Sequence, residues 1–394
     1  MDLFTVVVLC YRNWEFLADA ISSVLKQDYP EIELIVSDDS SDGFPQKDIE
    51  DFVNANISRN IRKVLIRTEK VNVGTVRHLN HNVKLASGKY ICFLAADDMF
   101  ATDHVLSQYA DAFIQSPDDT QLVMAQTAMY NRRMDELESY YLTPHMQSLL
   151  EPDVNYKELY KALCFSPCLP TTSTCYTKAF FKKFGLFDES YKLIEDYPLH
   201  LKVARENIPI KFSNFLAIKH RDGGISHGGT TALSATKISY YKDFRRCCEL
   251  RLSTVENLPP KDQKKIKRYT RREIYYYDRL LASQNKSFKA RVKQCLLHPI
   301  YTTYELISSL DNFLGKISLK AIISCLVMMC VTPAFADYLY EIAGIETSVS
   351  IAMMHHLLTI LLLVSLIIWI IHILNAAYKR IIHFPNELIY LLAR

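Results

Sequence analysis

The chain has 394 residues and a formal net charge of +3. That length accommodates more than one domain with a sizeable core, and a charge so close to zero excludes any global electrostatic case for a nucleic-acid partner. Ten cysteines occur without a CxxC pair, and Cys164, Cys168 and Cys175 are followed by no His or Cys pair at zinc spacing, so reduced thiols of a cytosolic domain are expected rather than a metal staple.

The N-terminus carries no basic segment and no cleavage site, so Phe4–Cys10, short and valine-rich, reads as a buried parallel strand rather than a signal peptide. Apolar residues at Phe16, Leu17, Ala20, Ile21, Val24 and Leu25 have helical spacing over Trp14–Lys26. A second strand, Ile32–Ser37, runs into the polar turn Asp38-Asp39-Ser40-Ser41-Asp42-Gly43. A helix near Lys47–Ile57, a strand at Lys63–Arg67, a loop with Asn72 and Gly74, and a helix at Val76–Ala86 follow. Ser87-Gly88 breaks that helix, and the strand after it ends at Asp97-Asp98. Strands alternating with helices predict an α/β fold with a doubly wound, mostly parallel sheet. After a helix at Asp103–Gln115 and a strand at Leu122–Gln126 the alternation weakens, and 127–170 reads as irregular. A strand at Thr171–Tyr176, a helix at Lys178–Phe184 stopped by Gly185, a helix at Leu199–Glu206 and a strand at Ile210–Ile218 complete this part, and Gly223-Gly224 and Gly228-Gly229 mark loops.

Two aspartate pairs stand at strand ends. Adjacent carboxylates at the end of a buried strand repel each other and resist desolvation unless a cation joins them. In an open α/β sheet that end faces the ligand crevice, and a divalent cation carrying a phosphorylated ligand suits it. The competing reading is that one aspartate of each pair caps the next helix. Two pairs at the same edge of one sheet favour the ligand reading.

The run from Cys10-Tyr11-Arg12-Asn13 through Gln27-Asp28-Tyr29-Pro30 to Ser37-Asp38-Asp39-Ser40-Ser41-Asp42-Gly43, continued by Asn72-Val73-Gly74, Asn80, Ala86-Ser87-Gly88-Lys89-Tyr90-Ile91, Asp97-Asp98 and Glu195-Asp196-Tyr197, resembles family 2 glycosyltransferases of the GT-A fold, over roughly the first 225 residues. The resemblance implies a Rossmann-like nucleotide-binding half with an acceptor half, and inverting transfer of a sugar from a nucleotide-diphosphate donor to a saccharide acceptor, plausibly lipid-linked, in surface polysaccharide synthesis. It implies that Tyr11 lines the base and that Asp39, with Asp38 beside it, hydrogen-bonds the base or ribose. Asn72 and Gly74 would shape the donor loop. Asp97 would face the ribose or metal and Asp98 the metal, Mg²⁺ or Mn²⁺. Asp196, with Glu195, would act as general base, although an acidic helix N-terminus alone explains such a pair. Ala95 stands where many relatives carry a further aspartate. His220-Arg221-Asp222-Gly223-Gly224-Ile225-Ser226-His227 resembles the loop that closes over the donor: Arg221 would meet the diphosphate, and His220 or His227 would be a third metal ligand. Arg77 and His78 are weaker candidates, with His78 expected to face solvent. A nucleotidyltransferase is the alternative enzyme, disfavoured because Leu9–Glu15 holds no glycine, and an inactive nucleotide-sugar-binding membrane scaffold is the non-enzymatic one.

The remainder divides into a basic, tyrosine-rich helical region (231–315) and two hydrophobic segments within 316–378, about 318–340 and 351–374, with a tail at 379–394. The catalytic domain is expected over 1–230. Lys261, Lys264, Lys265, Lys267, Arg268, Arg271 and Arg272 stand against Asp262 alone, a pattern suited to anionic lipid headgroups; nucleic acid is not expected. Within 291–310 an amphipathic stretch precedes the hydrophobic segments. Ile351–Leu374 has no Asp, Glu, Lys or Arg and as a helix would measure about 36 Å, enough for a hydrocarbon core of about 30 Å. Ala321–Ala336 is shorter and contains Pro333. Lys316, Lys320, Lys379 and Arg380 flank the pair, whereas Asp337, Glu341 and Glu346 lie between. The positive-inside rule then predicts a multi-pass protein of the inner or plasma membrane with its catalytic domain in the cytoplasm.

Overall fold

A computed structural model describes residues 1–150, 156–166, 169–223, 234–284, 296–298, 313–328 and 356–374. The chain forms two compact units, Met1–Ser287 and Phe288–Leu391.

In the first unit, β1 (Phe4–Cys10), β2 (Ile32–Asp38), β3 (Ile61–Thr68) and β4 (Tyr90–Ala95) alternate with α1 (Leu17–Leu25), α2 (Gln46–Asn56) and α3 (Thr75–Leu85). They are followed by β5 (Met99–Phe100), α4 (Val105–Ile114), β6 (Leu122–Tyr130), β7 (Leu137–Tyr140), α5 (Pro144–Ser148), α6 (Tyr156–Leu163), β8 (Thr174–Thr177), α7 (Lys178–Phe184), α8 (Asp196–Arg205) and β9 (Ile210–Arg221). Two long helices, α9 (Ala235–Thr254) and α10 (Pro260–Gln284), end the unit's described part.

The sheet order is β3-β2-β1-β4-β8-β6-β9-β5, with β7 on the edge of β6. The β3-β2-β1-β4 half is parallel, as alternating strands and helices require. Beyond β4 the sheet is mixed: β8 is antiparallel to both β4 and β6, β9 is parallel to β6, and β5 is antiparallel to β9. The expected parallel winding therefore holds for the first half, and the second half is where an acceptor side would be built. The stretch expected to be irregular contains order: β6 continues to Tyr130, and β7, α5 and α6 follow. Strand β7 is a fully exposed edge, so it lacks the apolar alternation that marks a half-buried strand, and α5 has only five residues.

Apolar side chains fill both faces of the parallel half. Val6, Val8, Ile21, Leu34 and Tyr109 lie in one cluster, and Val7, Ile35, Leu79, Phe93 and Tyr197 in the other. Cys247, Val255, Leu258 and Ile266 belong to the second cluster, so α9 and α10 share the unit's core and carry it beyond the boundary that the sequence suggests near 230. Within this core Glu33 is a buried charge. Its carboxylate takes Lys63 Nζ at 2.5 Å, Thr5 Oγ1 at 2.6 Å, Ser87 N at 2.7 Å and Ser87 Oγ at 2.6 Å. These partners overcome the burial penalty and hold its pKa down at about 2. The Ser87-Gly88 turn is thereby tied to β2. Gly88 leaves no room for a side chain, since a Cβ there would lie 2.7 Å from Leu3 O.

The described cysteines, Cys10, Cys92, Cys164, Cys175, Cys247, Cys248 and Cys325, are free and buried. In the second unit, residues 313–328 and His356–Leu374 are helical. A Cβ on Gly315 would approach His372 Cγ to 2.5 Å, so these two helices touch. Among the described residues, His356–Leu374 is the one helix long and apolar enough to cross a membrane. The rest of the first hydrophobic segment, the acidic loop and the tail lie outside the described residues.

Candidate active site

The register brings the motif residues to one edge. Cys10 pairs with Asp38 and Leu9 with Ala95, so Tyr11, Asp38-Asp39 and Asp97-Asp98 leave three neighbouring parallel strands at their C-terminal ends. The chain order reverses at β1, between β2 and β4, which is the topological switch point where such sheets bind ligands.

The first aspartate pair organises loops. Asp38 accepts Ser41 N at 2.8 Å, Ser41 Oγ at 2.6 Å and Thr68 Oγ1 at 2.8 Å, which folds the Ser40-Ser41 turn. Ser41 Oγ also accepts Arg12 N at 2.8 Å, which fixes the bend after Tyr11, where Arg12 adopts φ +62°. Asp39 accepts Val73 N at 2.8 Å, Gly74 N at 2.9 Å and Asn72 Nδ2 at 2.9 Å. Burial raises its pKa, and those two amides oppose the rise. Asp39 therefore holds the Asn72–Gly74 loop. Gly74 has φ +85°, and a Cβ on it would lie 2.9 Å from Lys192 O. Only glycine lets the loop approach the segment that leads to Glu195-Asp196 so closely; Val76 N donates to Lys192 O at 3.2 Å.

The second pair lies in the turn between β4 and β5, closed by Asp98 N donating to Ala95 O at 3.0 Å, and its two members are buried unequally. Asp97 is half-buried, and Asp98 is 1% exposed. Strand β5, directly after Asp98, pairs with the end of β9 and sets Met99 opposite Lys219. This places His220 Nδ1 3.0 Å and Arg221 N 3.1 Å from the Asp98 carboxylate. Burial, and then the charge of Asp98, raise the pKa of Asp97. Burial works against a charged His220, but the bond to Asp98 and the charges of both aspartates outweigh it and raise its pKa. Two crowded carboxylates beside an imidazole form an oxygen-rich donor set that fits Mg²⁺ or Mn²⁺. Among the described residues no three His, Cys, Asp or Glu side chains form a ready-made metal cage, so phosphate and water would complete the coordination. His227 lies outside the described residues.

Arg221 is 5% exposed. Its Nε donates to Asp97 O at 3.0 Å, one terminal nitrogen to Arg132 O at 2.9 Å and the other to Asp19 at 3.2 Å, over the Phe16 ring at 4.0 Å. It braces the Asp97 backbone. His78 is 3% exposed and not solvent-facing; its Nε2 lies 2.7 Å from Ser37 Oγ, and burial pushes its pKa down to about 4. Helix α3 turns this side chain under β2, where Ser37 offers the hydroxyl it needs. Arg77 is exposed and paired with Glu189 at 3.5 Å.

Glu195 and Asp196 open α8. Helix N-termini favour carboxylates, yet burial dominates here: the Glu195 pKa rises to about 8 through burial and then the neighbouring Asp196, and burial raises Asp196 despite the Tyr197 amide at 2.6 Å. Both carboxyl groups are thus held above the usual carboxylate range. The approach to it is pinned. Asn80 donates to Phe187 O at 2.9 Å and accepts Phe187 N at 3.0 Å. The Asp243 carboxylate accepts Lys192 N and Leu193 N at 2.9 and 2.6 Å. Sequence reasoning missed Asp243, which sits in a charged helix with no motif around it.

Residues 5–170 match the family model described as Glycosyl transferase family 2. Over 241 residues the chain is 25% identical to an uncharacterized glycosyltransferase of Rickettsia typhi, covering 61% of this chain and 69% of that protein. It is 23% identical over 239 residues to the Escherichia coli UDP-Glc:alpha-D-GlcNAc-diphosphoundecaprenol beta-1,3-glucosyltransferase WfaP, covering 60% and 82%. Residues 1-349 of S. aureus TarS superpose with a TM-score of 0.48 at 16% identity, over 80% of each chain. The α/β sheet, parallel in its first half and mixed in its second, resembles the GT-A glycosyltransferase fold. Residues 5–170 thus form a domain of the family 2 glycosyltransferase type, the family that the strand-end motifs resemble.

Proposed function

We propose that this enzyme transfers a sugar with inversion from a nucleotide-diphosphate donor to a saccharide acceptor carried on a lipid, in surface polysaccharide synthesis. The observation that carries the reading is the raised Glu195-Asp196 pair, held by Lys192 against the loop that Asp39 organises. The base of the nucleotide lies against Tyr11 and the Asn72–Gly74 loop. The diphosphate lies over Asp97, Asp98 and His220, which would hold Mg²⁺ or Mn²⁺. When bound, the ion supplies charge stabilisation for the departing diphosphate. Asp196 takes the proton of the acceptor hydroxyl as that oxygen attacks the anomeric carbon from the face opposite the diphosphate, and Glu195, sharing the pair's charge, keeps its proton. A single displacement of this kind inverts the centre.

A UDP-sugar donor and a polyprenyl-diphosphate acceptor are supported by what the E. coli relative is named for. The exposed cations Lys261, Lys264, Lys265, Arg268, Arg271 and Arg272 of α10 suit an anionic lipid surface, and the apolar His356–Leu374 helix suits a membrane anchor. The test is transfer from UDP-glucose to a synthetic polyprenyl-diphosphate N-acetylglucosamine, with calorimetric titration of UDP-glucose in Mn²⁺ and in chelator. Asp196→Asn should lower turnover by about 10²–10⁴-fold and leave donor affinity within a few-fold. Wild-type turnover in that variant would remove Asp196 from the mechanism, and donor binding indifferent to chelator would remove the metal.

A further inference from the structure

Helix α9 lies outside every motif of the family resemblance, yet one of its faces holds the segment that ends at Glu195-Asp196. Asp243 is 6% exposed, and one of its carboxylate oxygens accepts three successive amides: Lys192 N at 2.9 Å, Leu193 N at 2.6 Å and Ile194 N at 3.3 Å. A buried carboxylate is costly unless such donors satisfy it. One turn on, Arg246 donates to Ser190 O and lies over the Tyr191 ring at 5.5 Å. One turn back, Tyr240 lies close enough to Asp196 and Glu195 for their charges to raise its pKa, after burial. Residues 240, 243 and 246 share one helical face, and together they grip the chain from 190 to 196.

We propose that Asp243 is a positioning residue for the catalytic base: it clamps the 192–194 backbone from α9, and so fixes the direction in which α8 starts and where the Glu195 and Asp196 carboxylates stand. The proposal rests on the base assignment above. The clamp has a second jaw, because the same segment meets the donor loop at Gly74 and Val76 N. Asp243 thus sets the separation between donor loop and base, a distance on which in-line displacement depends steeply. Among the described residues, the titratable groups whose charges couple to the carboxylate pair are Tyr176, Tyr240 and Cys247, none of them a cation. Burial is the first influence on the pair's titration, which therefore follows its placement.

The test uses the full-length protein in detergent, with Asp243→Ala, Asp243→Asn and Arg246→Ala. Hydrogen exchange of residues 190–196 should speed up by about 10-fold or more in Asp243→Ala, and less in Asp243→Asn, which keeps one acceptor oxygen. With UDP-glucose hydrolysis as the probe, kcat should fall about 10²-fold with donor KM within twofold, and the pH midpoint of kcat should move. Asp243→Asn should recover most of the rate. If Asp243→Ala does not fold, the Asn and Arg246→Ala variants carry the same comparison. Unchanged exchange at 190–196 would overturn the clamp. Faster exchange with kcat and pH midpoint unaltered would leave the clamp but overturn its positioning role. Failure of the base assignment is separable, because it shows as wild-type turnover in Asp196→Asn while the exchange result stands.

Discussion

Glu195 illustrates how position overrides residue type. A carboxylate at a helix N-terminus is ordinarily favoured in its charged form. Here burial and the adjoining Asp196 reverse that preference and bring its pKa to about 8. The linkage follows. A carboxyl group whose folded pKa lies above its unfolded value binds its proton more tightly when folded, so stability falls as pH rises between the ordinary glutamate value of 4.5 and about 8. Glu195→Gln removes that dependence. Its melting temperature should therefore exceed the wild type's by more at pH 8 than at pH 5, and a constant difference across that range would contradict the assignment. Asp39 and Arg221 make the complementary point. Both carry family motifs, yet the hydrogen bonds of each are spent on loops that other residues line.

At the scale of elements, the β2–β4 junction hangs on Glu33. Its stabilisation runs in the opposite direction from that of Glu195: with the pKa lowered to about 2 it is fully present above the unfolded value, and is lost as pH falls through the folded one. Glu33→Ala should cost about 3–5 kcal/mol, the penalty for leaving Lys63 and the Thr5 and Ser87 hydroxyls without their shared buried partner. Denaturant unfolding at pH 7 measures it, and the difference from wild type should shrink near pH 3. Strand β9 has a comparable part in the site. Its pairing with β5 delivers His220 and Arg221 to Asp98, so the second half of the sheet completes what the first half begins.

For the whole molecule, the first unit carries the transfer chemistry and the second carries the apolar helix. If His356–Leu374 anchors the enzyme, removal of that helix should release the protein from membranes in alkaline carbonate washes. Charge reversal of Arg268, Arg271 and Arg272 should instead weaken salt-sensitive attachment of the truncated chain to phosphatidylglycerol vesicles and leave phosphatidylcholine binding unchanged. Retention of the truncated, charge-reversed protein on membranes would overturn both attachments.

The sequence alone determined the parallel nucleotide-side half, the strand-end aspartates and the apolar helix. These are local properties: runs of β-branched residues, turn residues at fixed offsets, and a long uncharged stretch each leave their mark within a short window. It misread His78 and passed over Asp243, because their burial and hydrogen-bond partners come from residues 41 to 51 positions away. It also left unread the order within 127–170, where short elements are held by neighbours and not by their own periodicity. Tertiary structure decided how deeply each acidic group is buried and which of them hold the loops at the strand ends. That choice depends on desolvation and on the partners brought by a mixed sheet, neither of which is written in any one segment of the chain.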